Sequence, residues 1–161
     1  MNALEFAIQT ELDGVKYYSE QAELHRDTAL FRVFELLAAD EKRHAVILRR
    51  VVGESPEELP DSETLVKVKN IFMGINDFKD EIRPTPSQLE AYRKACELEQ
   101  KSIKQYTVLT DKSSSEKERM VYQYLLREEQ NHFAIVDELV LRLSRTEEWV
   151  EAAEFGDREE Y

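Results

Sequence analysis

Residues 37–48 read LAADEKRHAVIL, and residues 125–136 read LLREEQNHFAIV. In the first stretch Leu37, Glu41, His44 and Leu48 recur at steps of four, three and four. Side chains so spaced share one face of an α-helix. Glu41 and His44 therefore lie on the apolar stripe, and Lys42 and Arg43 point outward. Leu125, Glu129, His132 and Val136 repeat the arrangement. Two ionisable groups on a buried stripe, written twice, call for helices that pack around a shared polar layer.

The 88 positions separating Glu41 from Glu129 align two whole segments without a gap. Glu11 falls on Glu99, Tyr18 on Tyr106, His44 on His132 and Asp40 on Glu128. The hydrophobic positions follow: Ala7 on Ala95, Val15 on Ile103, Phe34 on Tyr122, Leu37 on Leu125 and Leu48 on Val136. A repeat kept only for packing would hold the apolar positions and let Glu11, Glu41, His44 and their counterparts drift.

The remaining elements follow from breakers and caps. The first helix spans 4–24 and opens on Asn2 with Glu5 three residues on, a capping-box pattern. A polar turn from His25 to Thr28 leads to a second helix, which Gly53 ends near Val52. Residues 53–86 form a long connection with helix near Glu63 to Phe72. The third helix begins near Ser87, with Glu90 completing a capping box, and runs to about Thr110. After DKSSS the fourth runs from about Glu116 to Ser144. Trp149, Val150, Ala153 and Phe155 then mark a short C-terminal helix that packs back on the bundle or on a second subunit. With 161 residues and only 4 Gly and 4 Pro, the chain reads as one all-α domain over 1–161, made of hairpins 4–52 and 92–140.

In each hairpin the first-helix glutamate precedes the turn by about as many residues as the Glu-x-x-His pair follows it. Antiparallel helices of equal rise then carry all three side chains at one level. Six groups converge: Glu11, Glu41, His44, Glu99, Glu129 and His132. Four carboxylates buried together require protons or cations. Two divalent ions balance four glutamates, which leaves a neutral core. Mixed carboxylate and imidazole ligation suits iron or manganese better than calcium or structural zinc. Availability and redox use favour two iron ions, with manganese open. Tyr18 and Tyr106 each follow a glutamate by two turns, and helical side chains lean toward the N-terminus. They are the candidate catalytic tyrosines, set to hydrogen-bond a ligand carboxylate.

One Glu on each of two helices with Glu-x-x-His on each of the other two is the ligand pattern of ferritin-like di-iron carboxylate proteins. The segments ELDGVKYYSEQAE, ADEKRHA, ELEQKSIKQY and EEQNHF resemble the rubrerythrin branch, over residues 4–140. The resemblance implies a ferritin-like four-helix bundle with one long crossover. It implies an oxidoreductase that reduces dioxygen or hydrogen peroxide with Fe(II), in defence against oxidative stress. The departures are specific. Full-length rubrerythrins carry a four-cysteine rubredoxin domain, whereas Cys96 is alone here, so the electron donor is expected to be external. The family's extra glutamate, three residues after the third-helix ligand, is replaced by Ser102, with Gly14 in the matching place. That puts efficient peroxidase activity in question. Bacterioferritins bind haem through a methionine just after the second-helix glutamate. Lys42 stands there, so haem is not expected.

Two other readings fit the same residues: ferritin-type iron storage or detoxification, and a non-enzymatic metal-binding helical protein. A net charge of −12 argues against nucleic acid. The sequence has no apolar stretch of membrane-spanning length and no basic leader, so a cytoplasmic protein is expected, as a homodimer or larger homo-oligomer. Among the other polar and sulfur residues, His25 is expected to be solvated in its turn and Cys96 to be a small core residue. Asp40 and Glu128 are expected to face a neighbouring helix or solvent, or else to support a ligand. Met73 and Met120 are core candidates.

Overall fold

A computed structural model describes residues 2–51 and 59–159, with side chains described to Ser144 except that of Lys79. Six helices follow in order: α1 (Ala3–Leu24), α2 (Leu30–Arg50), α3 (Thr64–Met73), α4 (Phe78–Ile82), α5 (Pro86–Asp111) and α6 (Glu116–Glu159). Their starts are written in the sequence. The Glu5 amide donates to Asn2 Oδ1 at 2.8 Å, and the Asn2 amide to Glu5 Oε2 at 3.2 Å. This reciprocal box satisfies two end groups that helix geometry leaves unpaired.

The start of α5 differs from expectation. Thr85 and Gln88 form the box, with Pro86 in the first turn. Proline's fixed φ suits that first turn, where its missing N–H costs nothing. The helix therefore starts ahead of Ser87, and Glu90 plays no capping part. The expected stop at Gly53 lies outside the described residues. The helical C-terminal segment is the direct continuation of α6 rather than a separate short helix. The side chains of Trp149, Val150, Ala153 and Phe155 lie outside the description.

α1 and α2 pack along their length as an antiparallel pair, as do α5 and α6. The two pairs face each other, α1 toward α5 and α2 toward α6. The crossover lies on one side, with α3 against α2 and α6, and α4 against α6. Met73 and Met120, expected in the core, are 77% and 59% exposed. Each sits on the outward side of its helix, where periodicity alone gives a lone apolar residue no partner.

The core has two parts. One gathers Tyr18, Leu37, Ala95 and Ile135 with Phe34, Phe72 and Tyr92, and Cys96 packs against it as expected. The other gathers Ala7, Leu48, Tyr106 and Leu125 with Val121 and Tyr122. Each long helix contributes to both and crosses between them at one level. On α1 the crossing holds Glu11, on α2 Glu41 and His44, on α5 Glu99, and on α6 Glu129 and His132. All six are buried. The apolar halves thus exclude water from both ends of a polar layer.

Candidate metal centre

The layer divides into two overlapping sets. Glu11, Glu41, His44 and Glu129 each offer a ligand atom within 4.8 Å of the others, and so do Glu41, Glu99, Glu129 and His132. Glu41 and Glu129 belong to both. Glu11 and His44 complete one set, and Glu99 and His132 the other, so each set has one further glutamate and one imidazole beside the two shared carboxylates.

The imidazoles fix which nitrogen faces the layer. His132 Nδ1 lies 2.8 Å from Glu41 Oε1 and 3.5 Å from both Glu99 Oε1 and Glu129 Oε2. His44 Nδ1 lies 3.1 Å from Glu129 Oε1 and 3.4 Å from Glu11 Oε2. Each Nε2 turns outward to a carboxylate. His132 Nε2 is 2.9 Å from Asp40 Oδ2, and His44 Nε2 is 3.4 Å from Glu128 Oε1. An outer carboxylate that accepts a hydrogen bond from Nε2–H keeps the ring proton there, leaves Nδ1 free to ligate and raises its basicity. Asp40 and Glu128 are therefore buried supports of the histidines, the less favoured of their two expected places. The signal was their coincidence in the repeat.

The tyrosines cross between hairpins. Tyr18 on α1 donates to Glu99 Oε1 on α5 at 2.6 Å, and Tyr106 on α5 donates to Glu11 Oε1 on α1. Each terminal glutamate thus has one oxygen tied down. The second oxygens of Glu11, Glu99 and Glu129 are buried and take no hydrogen bond. His44 Nδ1 and His132 Nδ1 come near two of them without hydrogen-bond geometry. Orphaned buried carboxylate oxygens are costly unless something else meets them. Three in one layer, two of them beside an imidazole Nδ1, fit bound cations.

The protonation pattern of the metal-free layer follows from its crowding. Burial raises the Glu41 and Glu129 pKa values well above the ordinary range, and the charges of Glu11 and Glu99 add to this. Burial works against ionisation of Glu11 too, but His44 and hydrogen bonds from Glu41 and Glu129 outweigh it and hold Glu11 at about 2. Glu99 is likewise lowered against the effect of burial, by Glu129, His132 and Tyr18. Burial favours neutral imidazoles, yet the surrounding carboxylates raise His44 and His132 well above the usual value. Without metal, the layer thus balances two anions, Glu11 and Glu99, against two imidazolium ions.

The two sides of the layer differ. On the α2/α6 side the crossover closes it. Ser62 Oγ donates to Asp40 at 3.1 Å, and the Tyr124 hydroxyl donates to the Pro60 carbonyl at 2.7 Å. Arg43, expected to point outward, is half-buried there. Its guanidinium reaches Tyr124 and Glu128, because a long side chain can turn back to neutralise a buried carboxylate. On the α1/α5 side a cavity of about 120 Å³ reaches Glu41 and Glu99 between Thr10, Gly14, Tyr18 and Ser102. Gly14 makes the approach possible. A Cβ there would stand 3.3 Å from the Glu41 carboxylate. Lys101 lies over the Phe6 ring beside this cavity, 5.4 Å from the ring centroid.

His25 is also placed differently from expectation. It is 3% exposed and hydrogen-bonded within the core, away from the six ligand candidates. A turn position suggested solvent, but a neighbouring helix covers it. Among the described residues no helix is long and apolar enough to cross a membrane.

A comparison with curated proteins finds no match, and a comparison with solved structures finds none either. A family model described as Rubrerythrin matches residues 2–140, which contain all four long-helix contributions to the polar layer. With that match over most of its length, and a buried carboxylate and histidine cluster compatible with a di-metal site, the chain belongs to the rubrerythrin family.

Proposed function

We propose that this chain is a di-iron oxidoreductase that reduces dioxygen or hydrogen peroxide. The observation that carries the reading is the pair of overlapping four-residue sets that share Glu41 and Glu129. Glu11 and His44 would hold one ion, Glu99 and His132 the other, and the shared glutamates both. When bound, two ferrous ions would supply the two electrons that, with two protons from solvent, convert hydrogen peroxide into two water molecules.

The chain's own contributions follow from the geometry. Tyr18 and Tyr106 fix the rotation of the terminal glutamates through one oxygen each and leave the other oxygen for a cation. Asp40 and Glu128 orient the imidazoles. The apolar halves of the core keep bulk water away, which strengthens every charge interaction in the layer. The cavity beside Gly14 and Ser102 has room for a diatomic or peroxide-sized molecule and leads to Glu41 and Glu99. The family's additional glutamate would stand at Ser102. With a hydroxyl there instead, proton delivery on that side falls to water and the serine. Cys96 is the only cysteine in this sequence, so these residues build no thiolate iron site of their own to feed electrons to the layer.

The test is anaerobic loading with ferrous iron, followed by peroxide. Two ions bound per chain and a diferric absorption band on addition of peroxide support the reading. Two ions bound with no spectral change remove the redox role. A large shell filled with mineral on sizing after repeated loading would replace it with storage.

A further inference from the structure

Some aromatic residues beside the polar layer follow the repeat, Tyr18 with Tyr106 and Phe34 with Tyr122, but others do not. Across the offset that equates Glu11 with Glu99, Tyr92 corresponds to Leu4, His25 to Ser113 and Tyr17 to Gln105. One end of the layer therefore carries a continuous aromatic array that the other lacks. It starts at Tyr18, hydrogen-bonded to Glu99. The Tyr18 ring stacks on Phe34 at 6.2 Å between centroids, and Phe34 stacks on Tyr92 at 6.0 Å, with interplanar angles of 20° and 23°. Tyr92 ends the array, and its hydroxyl meets His25 Nε2. Tyr92 and His25 are 1% and 3% exposed.

The His25 tautomer is fixed by its other nitrogen. Nδ1 lies 2.7 Å from the Gln21 carbonyl oxygen, which only accepts, so Nδ1 carries the proton. Nε2 then has a free lone pair and takes the Tyr92 phenolic hydrogen. Burial keeps this imidazole below its ordinary pKa and hence neutral. A buried phenol hydrogen-bonded to a neutral imidazole is the arrangement in which a tyrosine can lose an electron. The proton has somewhere to go in the same step, and no charged phenol forms.

Resting on the redox reading above, we infer that Tyr92 is a redox-active tyrosine that supplies an electron to the metal layer through Phe34 and Tyr18, with His25 taking its proton. Reduction of dioxygen to two water molecules needs four electrons and four protons, and the four protons come from solvent. Two ferrous ions give two electrons in becoming ferric. Tyr92 gives a third: its O–H bond breaks, the proton forms a bond to His25 Nε2, and a neutral tyrosyl radical remains beside an imidazolium. An external one-electron donor gives the fourth. A further electron from that donor, with return of the proton from His25, restores Tyr92.

The experiment mixes ferrous-loaded protein with oxygenated buffer and freezes samples at intervals. Iron oxidation is read by absorbance and radicals by electron paramagnetic resonance. The expected result is a tyrosyl signal that narrows with ring-deuterated tyrosine, disappears in Tyr92→Phe, and falls at least tenfold in His25→Leu. Iron oxidation should proceed in all three proteins. Should Tyr92→Phe fail to fold, the wild-type radical decides. With isotopically labelled histidine, a nitrogen coupling at the phenoxyl radical marks Tyr92, because Tyr18 and Tyr106 are bonded to glutamates. Iron oxidation with no tyrosyl signal, with a signal unchanged in Tyr92→Phe, or with no histidine coupling overturns the inference and leaves the oxidoreductase intact. Failure of bound iron to oxidise overturns both.

Discussion

Loading the layer with divalent metal must expel protons, and their number follows from the structure. In the metal-free protein Glu41, Glu129, His44 and His132 all hold protons more tightly than in water. Each must lose its proton to offer a lone pair to a cation. Two ions therefore displace four protons, and the layer passes from two anions with two imidazolium ions to four anions with two dications. It is neutral in both states, which is why a buried cluster of this density is tolerable either way. Each displaced proton steepens apparent affinity about tenfold per pH unit while its group remains protonated without metal. Shared over two ions, the affinity for each should rise about a hundredfold per pH unit on the acid side. Titration calorimetry with manganese(II) or zinc(II) measures this without redox chemistry. Repeating the titration near pH 5.5 in buffers of different ionisation enthalpy counts the protons, about four per two ions. Surface carboxylates are already ionised at that pH and would release almost none. Two ions bound with fewer than about one proton released would show that the metal sits elsewhere.

Three further outcomes follow from the same geometry. The metal-free protein should lose stability as pH rises: the raised pKa values of His44 and His132 give stability that is fully present below about pH 6.5 and lost as pH passes through the folded values, and Glu41 and Glu129 act in the same direction from about pH 4.5. Glu11 and Asp40, both held at about 2, work the other way and withdraw their support as pH falls from their ordinary values toward 2. Thermal melts in a chelator should therefore peak in mild acid, and a steady climb from about pH 5 to 8 would contradict the assignment. Asp40→Asn leaves His132 Nε2 without its anionic partner, so metal affinity should drop about 10- to 100-fold with helicity unchanged; an unaltered binding isotherm would remove the supporting role. Ser102→Leu fills the cavity beside Glu41 and Glu99, so stopped-flow oxidation by peroxide should slow at least tenfold while metal stoichiometry stays the same; equal rates would mean that the small molecule enters by another route.

Much of this was readable in the chain because the same periodicity governs both packing and ligation. Leu37 and Leu48 bracket Glu41 and His44 at helical steps, so one rule places the core and the polar layer together. The repeat then adds height, since equal arms on either side of a turn put side chains at one level. What failed was whatever depends on a neighbour the sequence does not name. His25 sits in a turn, and only the packing of α5 shows that Tyr92 covers it. Arg43 is outward by helical phase, yet it is long enough to return to Glu128 across the hairpin boundary. Met73 and Met120 are apolar but isolated on their helix faces, and a single apolar residue carries no periodicity. The start of α5 was missed because two overlapping capping patterns lie within six residues, and Pro86 decides between them.

The departures from the repeat carry the functional content that the repeat cannot. Two identical hairpins would build a site with two identical sides, each as open or as closed as the other. Here Leu36 is matched by Tyr124, Arg43 by Asn131, Gly14 by Ser102 and Tyr92 by Leu4. The first two differences fall on the α2/α6 side, where Arg43 and Tyr124 anchor Glu128 and the crossover backbone at Pro60. The third falls on the α1/α5 side, where a missing Cβ leaves room against Glu41. The fourth completes an aromatic array on one end alone. On the proposed reading, the six candidate ligands obey the pseudo-symmetry because two like cations would need like surroundings. The surroundings of the layer do not, and on the same reading they need not, because a small oxidant, a proton and an electron have no reason to arrive from the same direction. Restoring the repeat at Gly14 with Gly14→Ser therefore tests this division of labour: metal stoichiometry should persist, since Glu41 can shift by a few tenths of an ångström, and oxidation by peroxide should slow.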